Sequence, residues 1–508
     1  MKCRGYFAGL FPLVLALCCV GCGDDAGVDD GGGDSGSEDA PVDSTLDSGD
    51  DAGAVDVGTD GDVNSRDAGG DPDAAGAGDG SVGDSSTDVP EPSEVRVNIT
   101  LGGDGVGGTN SMVRSGESLG CGGEEEDGPG DCTATLITPA TLEAVPPPWS
   151  EFAGWVGGPC DGSLELTCEL EAGGDLEIEA RFQRKANLVF VTEERRDAGF
   201  GGVPTADEIC ANAADAARLP GTFAAFLATG DEDDAFDAID SDGGWVDTRG
   251  NTVAEGIGVL RAGEMKHPIR FSEFRNELTR GMVWTGAGTA SAPMMNECED
   301  WTSGERDGGS GTGGNLMSTG HQWRSGTSTL CSSEGHFYCF GTELDRVPPS
   351  APEPMYIGFL SSRYTPAVDY TPDDACADDA SDAGLEGTYL ALIATEGVSA
   401  ASKFPMRREI ARPDGTLVGS RVYSGGNLAS PLNQTADGTY VLDAEFVLTG
   451  ADLPTTAPAD AATTCDDWTD PINRTSLGFV GDVNRWFFSF EQSCQFRSRT
   501  RLYCLRSD

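Results

Sequence analysis

Apolar and polar positions alternate in Val95-Arg-Val-Asn-Ile99, in Leu164-Glu-Leu166 and in Leu176-Glu-Ile-Glu-Ala-Arg-Phe182, each bounded by Gly-rich turns. A period of two sends successive side chains to opposite faces, so residues 94–183 predict a small antiparallel β-module. Beyond it the pattern changes. Leu188-Val-Phe-Val-Thr192 and Met355-Tyr-Ile-Gly-Phe-Leu360 are apolar on both faces and predict buried strands that open two further units. A helix start follows each: Pro204-Thr-Ala-Asp-Glu-Ile-Cys210 in the first, and Thr371-Pro-Asp-Asp-Ala-Cys376, with Pro at the first helical position, in the second. Ala-rich sequence carries both helices towards Gly221 and Gly387. Phe223–Leu227 and Tyr389–Ile393 then predict buried strands, and Met282-Val-Trp-Thr-Gly286 and Phe446-Val-Leu-Thr-Gly450 predict shorter ones within irregular, Gly-rich sequence.

The two units are copies of one another. Cys210–Thr229 aligns without a gap on Cys376–Thr395, Cys298-Glu-Asp-Trp-Thr302 matches Cys465-Asp-Asp-Trp-Thr469, Trp323 and Trp486 each lie eight residues before a Cys, and Phe-Tyr-Cys339 matches Leu-Tyr-Cys504. A landmark series kept in order at this period is a tandem duplication of about 160 residues. The copies cover residues 185–345 and 350–508. The second is divergent, with Leu448 where the first has Trp284.

Charge and composition change the picture at the amino terminus. The 508-residue chain carries a formal charge of −54, much of it between residues 23 and 93, a stretch of Asp, Gly, Ser and Ala with Arg66 as its lone base. Such a segment buries too little apolar surface to offset chain entropy and predicts a disordered acidic linker. Its Asp56, Asp60, Asp62, Asn64 and Asp67 lack the closing Glu of an EF-hand ladder, so a solvated spacer is the better reading. Before it, Lys2 and Arg4 precede an apolar run from Tyr6 to Val20, too short to span a bilayer and laid out as a secretory signal. The run closes on Cys19-Val-Gly-Cys22 and resembles a bacterial lipoprotein cleavage site, with Cys19 where that pattern usually has Leu. The resemblance implies residues 1–22 as the signal region and lipidation at Cys22, hence a membrane anchor. An ordinary cleaved signal is the alternative. Of the 16 Cys, four (Cys3, Cys18, Cys19 and Cys22) belong to this region, and the remaining 16 − 4 = 12 form an even set. In an exported chain such a set reads as disulfides.

In the β-module, Cys121, Cys132-Thr-Ala-Thr-Leu136, Phe152-Ala-Gly-Trp155, Cys160, Cys168 and the closing Glu-Ala-Arg-Phe182 resemble short β-repeat modules of bacterial surface proteins, which pack the Trp in the core. Sequence neighbourhood pairs Cys121 with Cys132 and Cys160 with Cys168. In the copies, the Cys in a first helix, Leu-x-Gly-Thr, Trp-Thr-Gly, Cys-x-x-Trp-Thr, a further Trp and the terminal Tyr-Cys-Phe resemble a bacterial domain family of unassigned activity. That family includes spirochaete outer-surface lipoproteins described as endostatin-like, with a fold related to C-type lectins. The resemblance implies an α+β class, two tandem endostatin-like domains, and nested bridges Cys210–Cys339, Cys298–Cys331, Cys376–Cys504 and Cys465–Cys494. Closing loops of this length stabilises by about 4–5 kcal/mol per outer bridge in the chain-entropy model.

Candidate chemistry is sparse. His267, His321 and His336 all lie in the first copy, and no nucleophile-elbow, P-loop, HExxH or dinucleotide signature occurs. The calcium-site tripeptides of sugar-binding C-type lectins are missing, so no metal or other cofactor is expected. The recurring acid pairs Glu299/Asp300 and Asp466/Asp467 suit a structural turn better than a ligand site, and Glu124–Asp127 suits a solvated hairpin tip. Arg497, Arg499 and Arg501 alternate and would share one face of a strand, a candidate stripe for a sulfated glycan or other polyanion. Trp284, Trp301 and Trp323 are expected in the core. An acidic, exported chain is a poor partner for nucleic acid. These features favour a non-enzymatic, lipid-anchored surface protein that binds an extracellular protein or polyanionic glycan, with a structural envelope coat or an unrecognised hydrolase as alternatives.

Overall fold

The computed structural model describes residues 92–508 apart from 108–111, 117–118, 123–131, 172, 230–231, 289–296, 443–444 and 495–499. The signal region with Cys22, the acidic linker to residue 91, the Glu124–Asp127 run, Arg497 and Arg499 lie outside the described residues. Short helices and mixed sheets are joined by six disulfides, which are the six pairs named above. No helix among the described residues is long and apolar enough to cross a membrane.

The amino-terminal module is built from two four-stranded sheets whose inner faces share one core around Val95, Val97, Ile99, Leu142, Trp155 and Phe182. It is mixed rather than antiparallel, because Glu94–Gly102 runs parallel to Gly174–Arg184. The alternation in Leu164-Glu-Leu166 does not make a strand. The Trp155 indole donates to the Glu165 carbonyl at 2.9 Å and the Trp155 amide to Ser163 at 3.0 Å, which draws this segment over the ring as a loop and leaves Leu164 and Leu166 exposed. The module is tied to the first copy. Trp149 is buried in the core of the first copy, Arg346 pairs with Asp104 at 2.9 Å, and Arg184 is ion-paired with Glu343.

In the first copy the helix Val203–Ala216 packs on a sheet in which His336–Gly341 is flanked by Asn187–Val191 and Met282–Trp284. The second copy repeats this with Pro372–Asp382, whose Thr371 cap and Asp374 form the reciprocal capping box that satisfies two orphan helix N–H groups. Its opening strand is shorter than the apolar pattern suggests and spans Gly358–Leu360, so Met355 and Tyr356 precede it. In both copies a helix carboxylate reaches the following strand: Asp207 accepts from the Ala225 amide at 2.8 Å, and Asp373 from that of Ala391 at 2.9 Å.

The shared Cys-acid-acid-Trp motif folds into an unusual turn. Cys298, Glu299, Asp300 and Trp301 have φ of 52°, 56°, 55° and 65°, and Cys465, Asp466, Asp467 and Trp468 have 57°, 50°, 49° and 69°. Four successive left-handed non-glycine residues cost about 1–2 kcal/mol each, so other contacts must hold the turn. The half-cystines at its start do so, as do the indoles at its end: Trp301 donates to Ala228 at 2.8 Å and Trp468 to Ala394 at 2.9 Å. The Thr-Gly signature explains itself here. A Cβ on Gly286, at φ 63°, would lie 2.4 Å from the Ala228 carbonyl, and one on Gly450, at φ 77°, 2.8 Å from the Trp468 ring. The acid pairs are exposed on the turn, with Asp467 also accepting from the Thr464 hydroxyl at 2.9 Å.

Each copy has a core of its own, but a third cluster belongs to both. It joins Phe226, Trp245, Met265, Trp323 and Phe340 of the first copy to Leu392, Tyr423, Leu428, Trp486 and Tyr503 of the second. Polar contacts run along the same seam: Thr319 donates to Gly481 at 2.8 Å, Val483 to Met317 at 2.9 Å and Arg270 to Leu428 at 2.8 Å. The copies are therefore fused halves of one body.

Candidate functional site

A cleft of about 740 Å³ opens along this seam. Its walls are Asn251, Thr252, Lys266 and His267 of the first copy, the connecting segment 349–356, and residues of the second copy between 408 and 417 together with Ala429. The connecting segment can serve as a wall because its prolines at 349, 352 and 354 fix an extended path with few amide donors to satisfy. It is held against the second copy closely enough that a Cβ on Gly415 would lie 2.5 Å from the Pro352 carbonyl. The lining is mainly apolar, with Met355 and Leu417 exposed at 74% and 43%. Arg408 lies over the Tyr356 ring, its guanidinium carbon 4.2 Å from the centroid.

A second lobe of about 480 Å³ shares Asn251, His267, Glu409, Leu417 and Ala429 with the first. It is cationic. Arg249, Arg270 and Arg421 line it beside Glu277 and Glu409. Arg270 is buried, which lowers its pKa, and the charges of Arg249 and Arg421 press in the same direction against the pull of Glu277 and Asp247. Its Nε lies 3.5 Å from Glu277 as an ion pair without a hydrogen bond, and Glu277 accepts from Asn427 Nδ2 at 3.3 Å. Arg249 stacks on Phe271 at 4.3 Å and donates Nε–H to the Arg275 carbonyl at 3.1 Å.

His267 stands where the two lobes meet. Its Nδ1 is 2.8 Å from the Thr252 carbonyl, which can only accept, so Nδ1 carries the proton and Nε2 is the ring's remaining acceptor. Burial, with Arg412 and Arg270 nearby, lowers its pKa to about 4, so the ring is neutral at pH 7. His336 is buried elsewhere, its Nδ1 2.6 Å from the Thr192 carbonyl.

Of the three alternating arginines, Arg501 alone lies among the described residues. Arg501 is largely buried, ion-paired with Glu445 and donating to the Ser361 carbonyl at 2.7 Å; Arg363 reaches the same Glu445 at 2.8 Å. A core carboxylate occupies Arg501, so this residue is structural rather than part of a free basic face. Trp284, Trp301 and Trp323 are fully buried. The described residues contain no group of three or more metal-ligating side chains. The cleft is not legible in the sequence, because its residues come from two copies and the connector between them, and the apolar pattern places the exposed Met355 in a strand that begins only at Gly358. No family model and no curated protein matches the chain.

Proposed function

We propose that the chain is an exported, lipid-anchored surface protein whose two endostatin-like, C-type-lectin-like copies act together as one ligand-binding body. The observation that carries this reading is the seam cleft, a half-open cavity with an apolar wall and converging cationic groups, as binding sites usually have. Fusion through a common core supports it, since a site assembled from two halves stays preorganised when those halves cannot separate. The Cys22 anchor and acidic linker would hold this body away from the membrane. The test is to screen the full chain against extracellular-matrix proteins and glycan arrays. A saturable ligand supports the reading; its absence favours a structural coat protein, and turnover of a hydrolase substrate panel favours an enzyme.

A further inference from the structure

We propose that the seam cleft takes a small amphipathic anion, with its charged head at Arg249, Arg270 and Arg421 and its apolar body against Met355, Tyr356 and Leu417. This deepens the reading of the chain as a binding protein and rests on it. The cationic lobe sets three guanidinium groups against two carboxylates, and Glu277 is already engaged by Arg270 and Asn427. Arg421 is exposed, and its guanidinium group makes no hydrogen bond or ion pair among the described residues, although its carbonyl accepts from the Ser424 and Gly425 amides. Unneutralised guanidinium groups in a cleft are matched by a carboxylate, sulfonate or phosphate, which they can grip in a bidentate manner.

A charged head accounts for half of the cleft. Met355 and Leu417 present apolar surface to the larger lobe, and Tyr356 lines it with Arg408 stacked on its ring. A sulfated or carboxylated glycan is polar throughout and would leave that surface unused. A ligand with an aliphatic or aromatic body removes it from water at about 25 cal/mol per Å². Because both lobes share Asn251, His267 and Leu417, one molecule reaches from one to the other, and the volumes fall within the range of about 300–1,000 Å³ usual for small-molecule sites. With Nδ1 committed to Thr252, His267 offers Nε2 to a ligand N–H or O–H beside the head.

The probe is 8-anilinonaphthalene-1-sulfonate, which combines a sulfonate, an N–H and aromatic rings, titrated into the full chain by fluorescence and calorimetry. The expected result is saturable 1:1 binding, displaced by decanoate but not by equal concentrations of 1-decanol or inorganic sulfate. Arg421→Ala should weaken binding about tenfold, the loss typical of a charged hydrogen-bond partner, and Leu417→Asp should also weaken it. Arg114→Ala on the amino-terminal module should change nothing, and the melting temperature of Arg421→Ala should match the wild type. Non-saturable binding, or binding unaffected by Arg421→Ala and Leu417→Asp, overturns the proposal. Equal displacement by decanol overturns the anionic head, and equal displacement by sulfate overturns the apolar body. A chain that captures a matrix or glycan ligand yet ignores the sulfonate defeats this inference and leaves the binding-protein reading standing.

Discussion

Ser318 of the first copy and Asp482 of the second face each other across the seam as an antiparallel bridge, with the Ser318 hydroxyl 3.4 Å from Asp482 Oδ2. Asp482 is buried and collects more than this one contact. Its carboxylate also accepts from Asn315 Nδ2 at 3.2 Å, from the Asn484 and Arg485 amides at 2.9 and 2.8 Å, and from Arg485 Nε at 2.9 Å. Replacement by Leu strands several donors at once. Asp482→Leu should therefore cost on the order of 2–4 kcal/mol of stability, measured by chemical denaturation. Calorimetry should show the two copies melting in one transition, in the variant as in the wild type. Separate transitions for residues 185–345 and 350–508 would refute the common core.

The left-handed turns make an unusual prediction about glycine. In an ordinary helix Glu→Gly costs about 1 kcal/mol, but at φ 56° the side chain of Glu299 is itself the source of strain. Glu299→Gly should be neutral or stabilising by about 0.5–1 kcal/mol, the strain relieved less the added freedom of the unfolded chain. A loss of 1 kcal/mol or more in thermal or urea unfolding would count against the turn.

Arg501 separates a structural arginine from a ligand-binding one. Burial of Glu445 works against its charge, yet hydrogen bonds from Arg501 and Arg363 hold its carboxyl below the usual range. Arg501→Ser leaves that buried carboxylate with one partner, and should lower stability by about 2–3 kcal/mol without affecting binding in the cleft. If Arg501→Ser left the melting temperature unchanged and abolished retention on a heparin column, the exposed-stripe reading would return.

Glu273 sets a pH dependence. Burial chiefly, helped by the carboxylates of Glu193 and Glu194, pushes its pKa up to about 7 from an ordinary 4.5. A raised pKa means the folded state holds the proton more tightly, so this contribution is complete below pH 4.5 and is lost as pH rises through 7. Glu273→Gln removes the need to ionise a buried group. Measured against the wild type, the variant should gain up to about 3 kcal/mol between pH 5 and pH 8, at 1.36 kcal/mol per pKa unit. His267, with its depressed pKa, acts oppositely as pH falls from 6.5 to 4, but it is common to both proteins and cancels. A difference independent of pH would contradict the assignment.

Much of the fold is legible in the residues because duplication prints each landmark twice. Cys210 and Cys376, the Trp-Thr pairs at 301 and 468, and the helix starts at Pro204 and Thr371 owe their positions to local chemistry that recurs with the sequence. The handedness of the Cys-x-x-Trp turn is not legible, since Glu299 and Asp300 have no intrinsic preference for four successive left-handed residues; the bridge and the buried indole impose it. The seam is hidden for another reason. Asp247 and Arg412 occupy corresponding hairpins, closed by Asp247 to Asn251 and Arg412 to Thr416 amide bonds, yet carry opposite charges. The duplicated units have diverged where they meet, so comparing the copies conceals the contact between them. Arg501 misleads in the same way, because its alternation with Arg497 and Arg499 gives no sign of the distant Glu445 that claims it.

If the two copies make one binding body whose site is their seam, hydrogen–deuterium exchange of the full chain with and without saturating 8-anilinonaphthalene-1-sulfonate, read peptide by peptide, should slow in 249–252, 351–357 and 408–421, segments from both copies and the connector, and leave the Cys298 and Cys465 turns unchanged. Protection confined to one copy, or centred on residues 495–501, would contradict it.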